Sequence, residues 1–140
     1  MKTLALIFSF FFITPVPETL DIVNTYSITV TINNPLSDNG TMIIGLHNES
    51  TFMKSQGIEN QKSVIIDGKV QVTFEDLKPG TYAIMVLHDA NGNGRMDFND
   101  NGMPLESYGM SNNPMLYGPP SFTDAKFNLE NEDLELQIRL

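Results

Sequence analysis

Residues 26 to 32 alternate strictly: Tyr26, Ile28, Val30 and Ile32 are apolar, with Ser27, Thr29 and Thr31 between them. The chain ends on the same period, Leu134, Leu136, Ile138 and Leu140 alternating with Glu135, Gln137 and Arg139. A side-chain period of two turns one face toward a core and the other toward water, which fits a strand and not a helix. Two further runs, residues 41–47 and 81–87, are apolar on both faces and predict central strands. Residues 63–66 and 69–74 flank Asp67-Gly68, which predicts a two-residue hairpin. Pro79-Gly80 predicts the centre of a type II turn, with Gly80 supplying the positive φ. Residues 125–129 add a short strand. The polar stretch 48–62 reads as a connection with a helical turn at residues 51–55. About seven short strands, turn signals between them and no convincing helix predict an all-β fold, an antiparallel β-sandwich.

A chain of 140 residues carries one such domain with a real core. Its formal net charge of −9 opposes nucleic acid and anionic membrane as partners. With no cysteine, disulfides, thiol chemistry and a lipid-anchored cysteine are excluded. Lys2 and the apolar run of residues 3–13 have the shape of a secretory leader, too short for a membrane span of roughly 20 residues. Residues 1–18 are therefore expected to be a signal peptide, although no small-x-small triplet fixes the cut. Residues 19–140 are left as the single domain, secreted or periplasmic, with no stable membrane span once the leader is removed.

The stretch from His88 to Asn113 is acidic and Gly-rich, yet it leaves directly from a predicted central strand. Asp89, Asn91, Asn93, Asp97 and Asp100 stand at positions 1, 3, 5, 9 and 12 of a calcium loop, with Gly94 at position 6 for the sharp turn. Arg95, at position 7, offers its carbonyl. Asp100 is one methylene shorter than the Glu usual at position 12, and Glu106 is the alternative closing ligand. With only Asp89, Asp97 and Asp100 charged among the side chains of the motif, moderate Ca2+ affinity is expected. The competing reading is a run of tight turns, because Asn-Gly pairs tolerate left-handed backbone. Once ordered, the loop would present Tyr108, Ser111, Asn112 and Asn113 to an envelope protein, peptide or glycan. Against that, Ser111, Asn112 and Asn113 can equally satisfy loop backbone.

Two other chemistries compete. An envelope hydrolase would use Asp97 and Glu106 as paired carboxylates, but metal ligation would consume Asp97, and no serine has a histidine and an acid in triad spacing. His47 and His88 stand at strand ends and read as hydrogen-bonded structural residues. Copper handling would draw on Met96, Met103, Met110 and Met115 with His88 nearby, though methionine is also a common gap-filler in cores.

Phe74-x-x-Leu77-x-Pro79-Gly80-x-Tyr82 resembles the strand–turn–strand of transthyretin-like and carboxypeptidase-regulatory-like sandwiches. The run His88-Asp-x-Asn-Gly-Asn-Gly-x-x-Asp97 is followed by Gly102-x-Pro104-x-Glu106-x-Tyr108-Gly109-x-Ser111-Asn112-Asn113 and by Gly118-Pro-Pro-Ser-Phe-x-Asp-Ala125. Together these resemble the bacterial family called domain of unknown function 2141, over about residues 25–140. The resemblance implies a small exported β-sandwich with a transthyretin-like arrangement, and it implies no reaction. Met103 and Met110 depart from the larger apolar residues usual near Gly102 and Gly109.

Overall fold

The computed structural model describes residues 24–140. The expected leader, residues 1–18, lies outside the described residues. Among those described, no helix is long and apolar enough to cross a membrane. Eight strands form two sheets: β1 (Tyr26–Ile32), β2 (Thr41–His47), β3 (Glu59–Val64), β4 (Val70–Leu77), β5 (Gly80–Asp89), β6 (Tyr108–Met110), β7 (Phe127–Leu129) and β8 (Leu134–Ile138). One sheet runs β4-β1-β8; the other runs β3-β2-β5-β6, with β7 pairing the start of β5. The architecture is the expected all-β sandwich, with one departure from antiparallel pairing. β8 lies parallel to β1, Ile28 opposite Leu134 and Ile32 opposite Ile138.

The alternating residues face where their period puts them. Ile28, Val30 and Ile32 of β1 meet Met42, Ile44 and Leu46 of β2 and Ile84 and Val86 of β5 in one continuous core around Phe74. Burying each such side chain contributes about 1.5–3 kcal/mol, and this interface holds the two sheets together.

Several local features differ from the sequence reading. Strand β3 begins at Glu59, inside the stretch expected to be a connection. It is an edge strand paired only to β2 within its sheet, so polar side chains cost it nothing. Asp67 and Gly68 form the expected two-residue turn: both have positive φ, and Ile66 and Lys69 exchange backbone hydrogen bonds of 3.1 and 3.0 Å. The strands on either side then part, β3 into one sheet and β4 into the other, so the turn links two layers. The type II turn at Pro79-Gly80 does not form. Gly80 opens β5 without a positive φ, and the left-handed residue is Asp76, φ 55. Tyr82 instead fixes this corner by donating its hydroxyl to the Lys78 carbonyl at 2.8 Å. The helical turn expected at 51–55 is present, with Phe52 N–H donating to the Asn48 carbonyl and Ser55 N–H to that of Thr51. One short helix was not expected: α1 (Phe122–Ala125), capped by Ser121.

Candidate functional site

Strand β5 carries Asp89 to the end of its sheet opposite Thr41, and the chain then leaves as the long loop to β6. The start of that loop packs against Gly40. A Cβ at Gly40 would lie 2.1 Å from the Asp89 carbonyl, so no larger residue fits. His88 is buried beside it and held through Nε2 to the Asn39 carbonyl at 2.8 Å.

Asp89 is the organising side chain. It is 1% exposed. Its Oδ1 accepts from the backbone N–H of Gly92 and Asn93 at 2.9 and 3.0 Å, and its Oδ2 from that of Gly94 at 2.8 Å. Three N–H groups on one carboxylate wrap residues 90–94 into a tight arc, and Gly94 completes it with φ +79. Asn91 and Asn93 both turn inward and place their Nδ2 groups 2.6 Å from a single oxygen of Asp97. Asn91 and Asn93 thus meet on Asp97, while Asp89 holds the backbone of the arc.

The far end closes differently from the motif. Residues 97–105 fold back on themselves, with Leu105 N–H donating to the Asp97 carbonyl at 2.8 Å. Asn99 caps this turn by accepting from the N–H of Asn101 and Met103. Asp100 sits at its exposed tip and makes no hydrogen bond among the described residues. Glu106 stands at the base and spans both ends of the arc, accepting from Ala90 N–H at 3.1 Å and Asp97 N–H at 3.3 Å. The closing carboxylate is therefore Glu106. Asn99, which the motif spacing passes over, does the capping; an Asn two residues before Asn-Gly was the available signal.

Calcium requires six to eight oxygens. Among the described residues, no three His, Asp or Glu side chains stand together in a way that would hold a metal. Carboxylates alone do not make the site, and the amide oxygens of Asn91 and Asn93 and the Arg95 carbonyl are needed. The Oδ1 atoms of Asn91 and Asn93 accept from the N–H groups of Asn93 and Arg95 at 3.1 and 3.0 Å, so a cation would have to draw both amides out of these turns. Opposing positive charge is slight: Arg95 Nε lies 3.8 Å from Asp97 on an exposed side chain. The hydroxyl of Ser107, next to Glu106, is a buried side-chain oxygen with no partner among the described residues.

The residues after the loop serve the backbone. Ser111 is 1% exposed; its Oγ accepts from Ile84 N–H and donates to the Ala125 carbonyl, tying β5 to α1. Asn112 and Asn113 adopt left-handed φ of 67 and 46. Asn112 Nδ2 donates to the carbonyls of Asp124 and Lys126, and Asn113 bridges Gln137 and Arg139 at 2.9 and 2.8 Å. The sequence left these three as a recognition face or as support for loop backbone; Ser111 Oγ, Asn112 Nδ2 and both polar atoms of Asn113 bond to backbone within the fold. Of that set, half-buried Tyr108 borders open space.

The methionines occupy unlike surroundings. Met110 is buried with Phe52, Ala83 and Ala125, Met96 borders the outer face of the β3-β2-β5-β6 sheet, and Met103 and Met115 are exposed. His47, at the end of β2, is 7% exposed and packs edge-on against Phe52 at 5.8 Å. Burial holds its imidazole below the usual histidine pKa, partly offset by its hydrogen bonding with Thr51.

A family model described as "Uncharacterized protein conserved in bacteria (DUF2141)" matches residues 30–137. No curated protein sequence matches the chain. Among solved structures, the pilus-presented adhesin Spy0125 (Cpa) is similar at 17% identity with a TM-score of 0.29. That match covers 85% of this chain and 27% of the adhesin chain.

Proposed function

We propose a binding role for this chain, which belongs to the DUF2141 family of uncharacterized proteins conserved in bacteria. In this reading it is an exported, non-enzymatic β-sandwich module of the cell envelope whose β5–β6 loop is ordered by calcium. One observation carries it: buried Asp89 gathers three backbone N–H groups while Asn91 and Asn93 converge on Asp97. Asn91 and Asn93 accept from the N–H two residues on, as plain Asx turns do, but the meeting of both side chains on Asp97 goes beyond what those turns need. A cation drawn between them would replace N–H contacts to Asp97 with direct oxygen ligation.

The test is thermal unfolding of the full chain in chelator, then in millimolar calcium or magnesium. Calcium at 100 times its Kd adds about 2.7 kcal/mol to stability, a rise of several degrees in Tm for a domain of this size. Asp97→Asn removes most of that rise. Superimposable melts in chelator and calcium would remove the metal from the reading.

A further inference from the structure

The chain holds five pairs in which Asn or Asp precedes Gly: Asn39-Gly40, Asp67-Gly68, Asn91-Gly92, Asn93-Gly94 and Asn101-Gly102. In such a pair the glycine nitrogen can close a cyclic imide onto the side-chain carbonyl carbon before it, because glycine puts no side chain in the way. The nitrogen attacks only after losing its proton, so an acceptor that holds the N–H opposes the reaction.

In four of the pairs the N–H is held. Gly92 and Gly94 donate to the two oxygens of Asp89 at 2.9 and 2.8 Å, and Gly68 donates to Asp38 Oδ1 at 3.0 Å. Gly102 donates to the neutral Asn99 carbonyl at 2.9 Å. The side-chain amides of Asn91 and Asn93 are fixed as well, each on Asp97 at 2.6 Å. Asn39-Gly40 differs on every count. Neither the Gly40 N–H nor the Asn39 side chain makes a hydrogen bond among the described residues, and both residues are exposed to water. The Asn39 carbonyl accepts from His88 Nε2 at 2.8 Å, which draws electron density out of the Asn39–Gly40 peptide and eases loss of the glycine proton.

We propose that Asn39-Gly40 is a modification site, at which the folded chain deamidates spontaneously with water as the only co-reactant. Solvent takes the Gly40 proton and a bond forms from Gly40 N to Asn39 Cγ. The Cγ–Nδ2 bond breaks, and Nδ2 leaves as ammonia with a proton returned from solvent. Water then adds to one of the two imide carbonyls. Opening one ring bond leaves aspartate at position 39; opening the other leaves isoaspartate, which lengthens the backbone by one methylene. Nothing is oxidised or reduced. The methylene enters just before β2, where Gly40 lies so close to the β5–β6 loop that a Cβ on it would stand 2.1 Å from the Asp89 carbonyl and 2.7 Å from Ala90 Cα. Isoaspartate therefore strains the base of that loop, whether or not the loop takes a metal.

The experiment ages the full chain in mildly alkaline buffer with chelator, once folded and once in urea. Each Asn-Gly pair is followed by peptide mass mapping, and isoaspartate by labelling with protein isoaspartyl methyltransferase. In urea the four Asn-Gly pairs should react at similar rates. In the folded chain Asn39 should react fastest. Asn101 should be slower by about threefold or more, and Asn91 and Asn93 by at least about tenfold, since a carboxylate holds an N–H more strongly than a carbonyl does. Asn39→Ser, at an exposed side chain with no hydrogen bond, should remove most of the isoaspartate signal. The aged wild type should lose melting temperature in step with its isoaspartate, and Asn39→Ser should not. Equal protection at all four pairs, or a fastest folded-state rate at Asn91, Asn93 or Asn101, overturns the proposal. A melt unchanged at high isoaspartate content overturns the strain at the loop base.

Discussion

Phe74 and Asp89 are both essentially buried, one between the sheets and the other at the mouth of the β5–β6 loop. Phe74 is held by apolar neighbours from both sheets, a non-directional arrangement that tolerates small shifts. Asp89 is held by three directed hydrogen bonds from backbone N–H groups within five residues of it. The first kind of order depends on strands distant in sequence being brought together. The second is nearly local, and it sets the loop's shape largely without the core. On the calcium reading, a cation would act on the loop while the sandwich beneath it stays as it is.

The widest separation should come from truncating the core. Phe74→Ala is expected to cost about 3–5 kcal/mol, read as a lower midpoint in urea with an unchanged slope. A loss under 1 kcal/mol would mean that the sheets repack around the gap and that the core is less specific than described. Ser111→Ala tests the directed kind of order. It strands the Ile84 N–H and the Ala125 carbonyl, both partners of one hydroxyl, and should cost about 1–3 kcal/mol. A neutral result would show that water replaces the hydroxyl and would reopen the junction of β5 and α1 as a surface.

The two regions also differ in how far the sequence disclosed them. Strands β1 and β8 were legible from their two-residue period, and β2 and β5 from apolar runs on both faces. The Asp67-Gly68 turn was legible because its φ demand is local. The start of β3 was not: its pairing is through backbone, and Glu59 to Lys62 show no apolar alternation. The parallel β1–β8 pair was hidden for a related reason, since a strand's period gives its face and not its partner. In the loop, the Asn91 and Asn93 side chains meet that of Asp97. Asp100 lies apart from them, on the separate turn that Asn99 caps. Ser111, Asn112 and Asn113 have the composition of a recognition surface, and residue type alone does not tell a solvent-facing amide from one bonded to a neighbouring carbonyl.

A pH titration separates the regions again. Burial depresses the pKa of His47 below 6.5, so the folded state favours the neutral ring. Its contribution to stability is fully present above the unfolded value near 6.5 and is lost as pH falls from there through the lowered folded value. All other groups are common to both proteins and cancel in a comparison with His47→Phe. The stability difference between the two proteins should be flat above pH 7 and shift against the wild type below 6.5. A difference that stays flat to pH 5 would mean that the ring gains water or a partner when charged, contrary to its burial.

The smallest effect expected on folding discriminates most finely within the loop. Asp100→Asn alters an exposed side chain that makes no hydrogen bond among the described residues, and its stability should stay within about 0.5 kcal/mol of wild type in chelator. Under the calcium reading it should also leave most of the calcium-induced rise in Tm. Glu106→Gln keeps one acceptor oxygen for the N–H groups of Ala90 and Asp97 but removes the charge. It should therefore lower the calcium response much more than it lowers stability in chelator. The reverse pattern, with Asp100→Asn abolishing the response and Glu106→Gln sparing it, would mean that the cation pulls the Asn99 turn inward. The loop would then close on position 12 as its spacing first suggested, and its fold without metal would be only one of two arrangements.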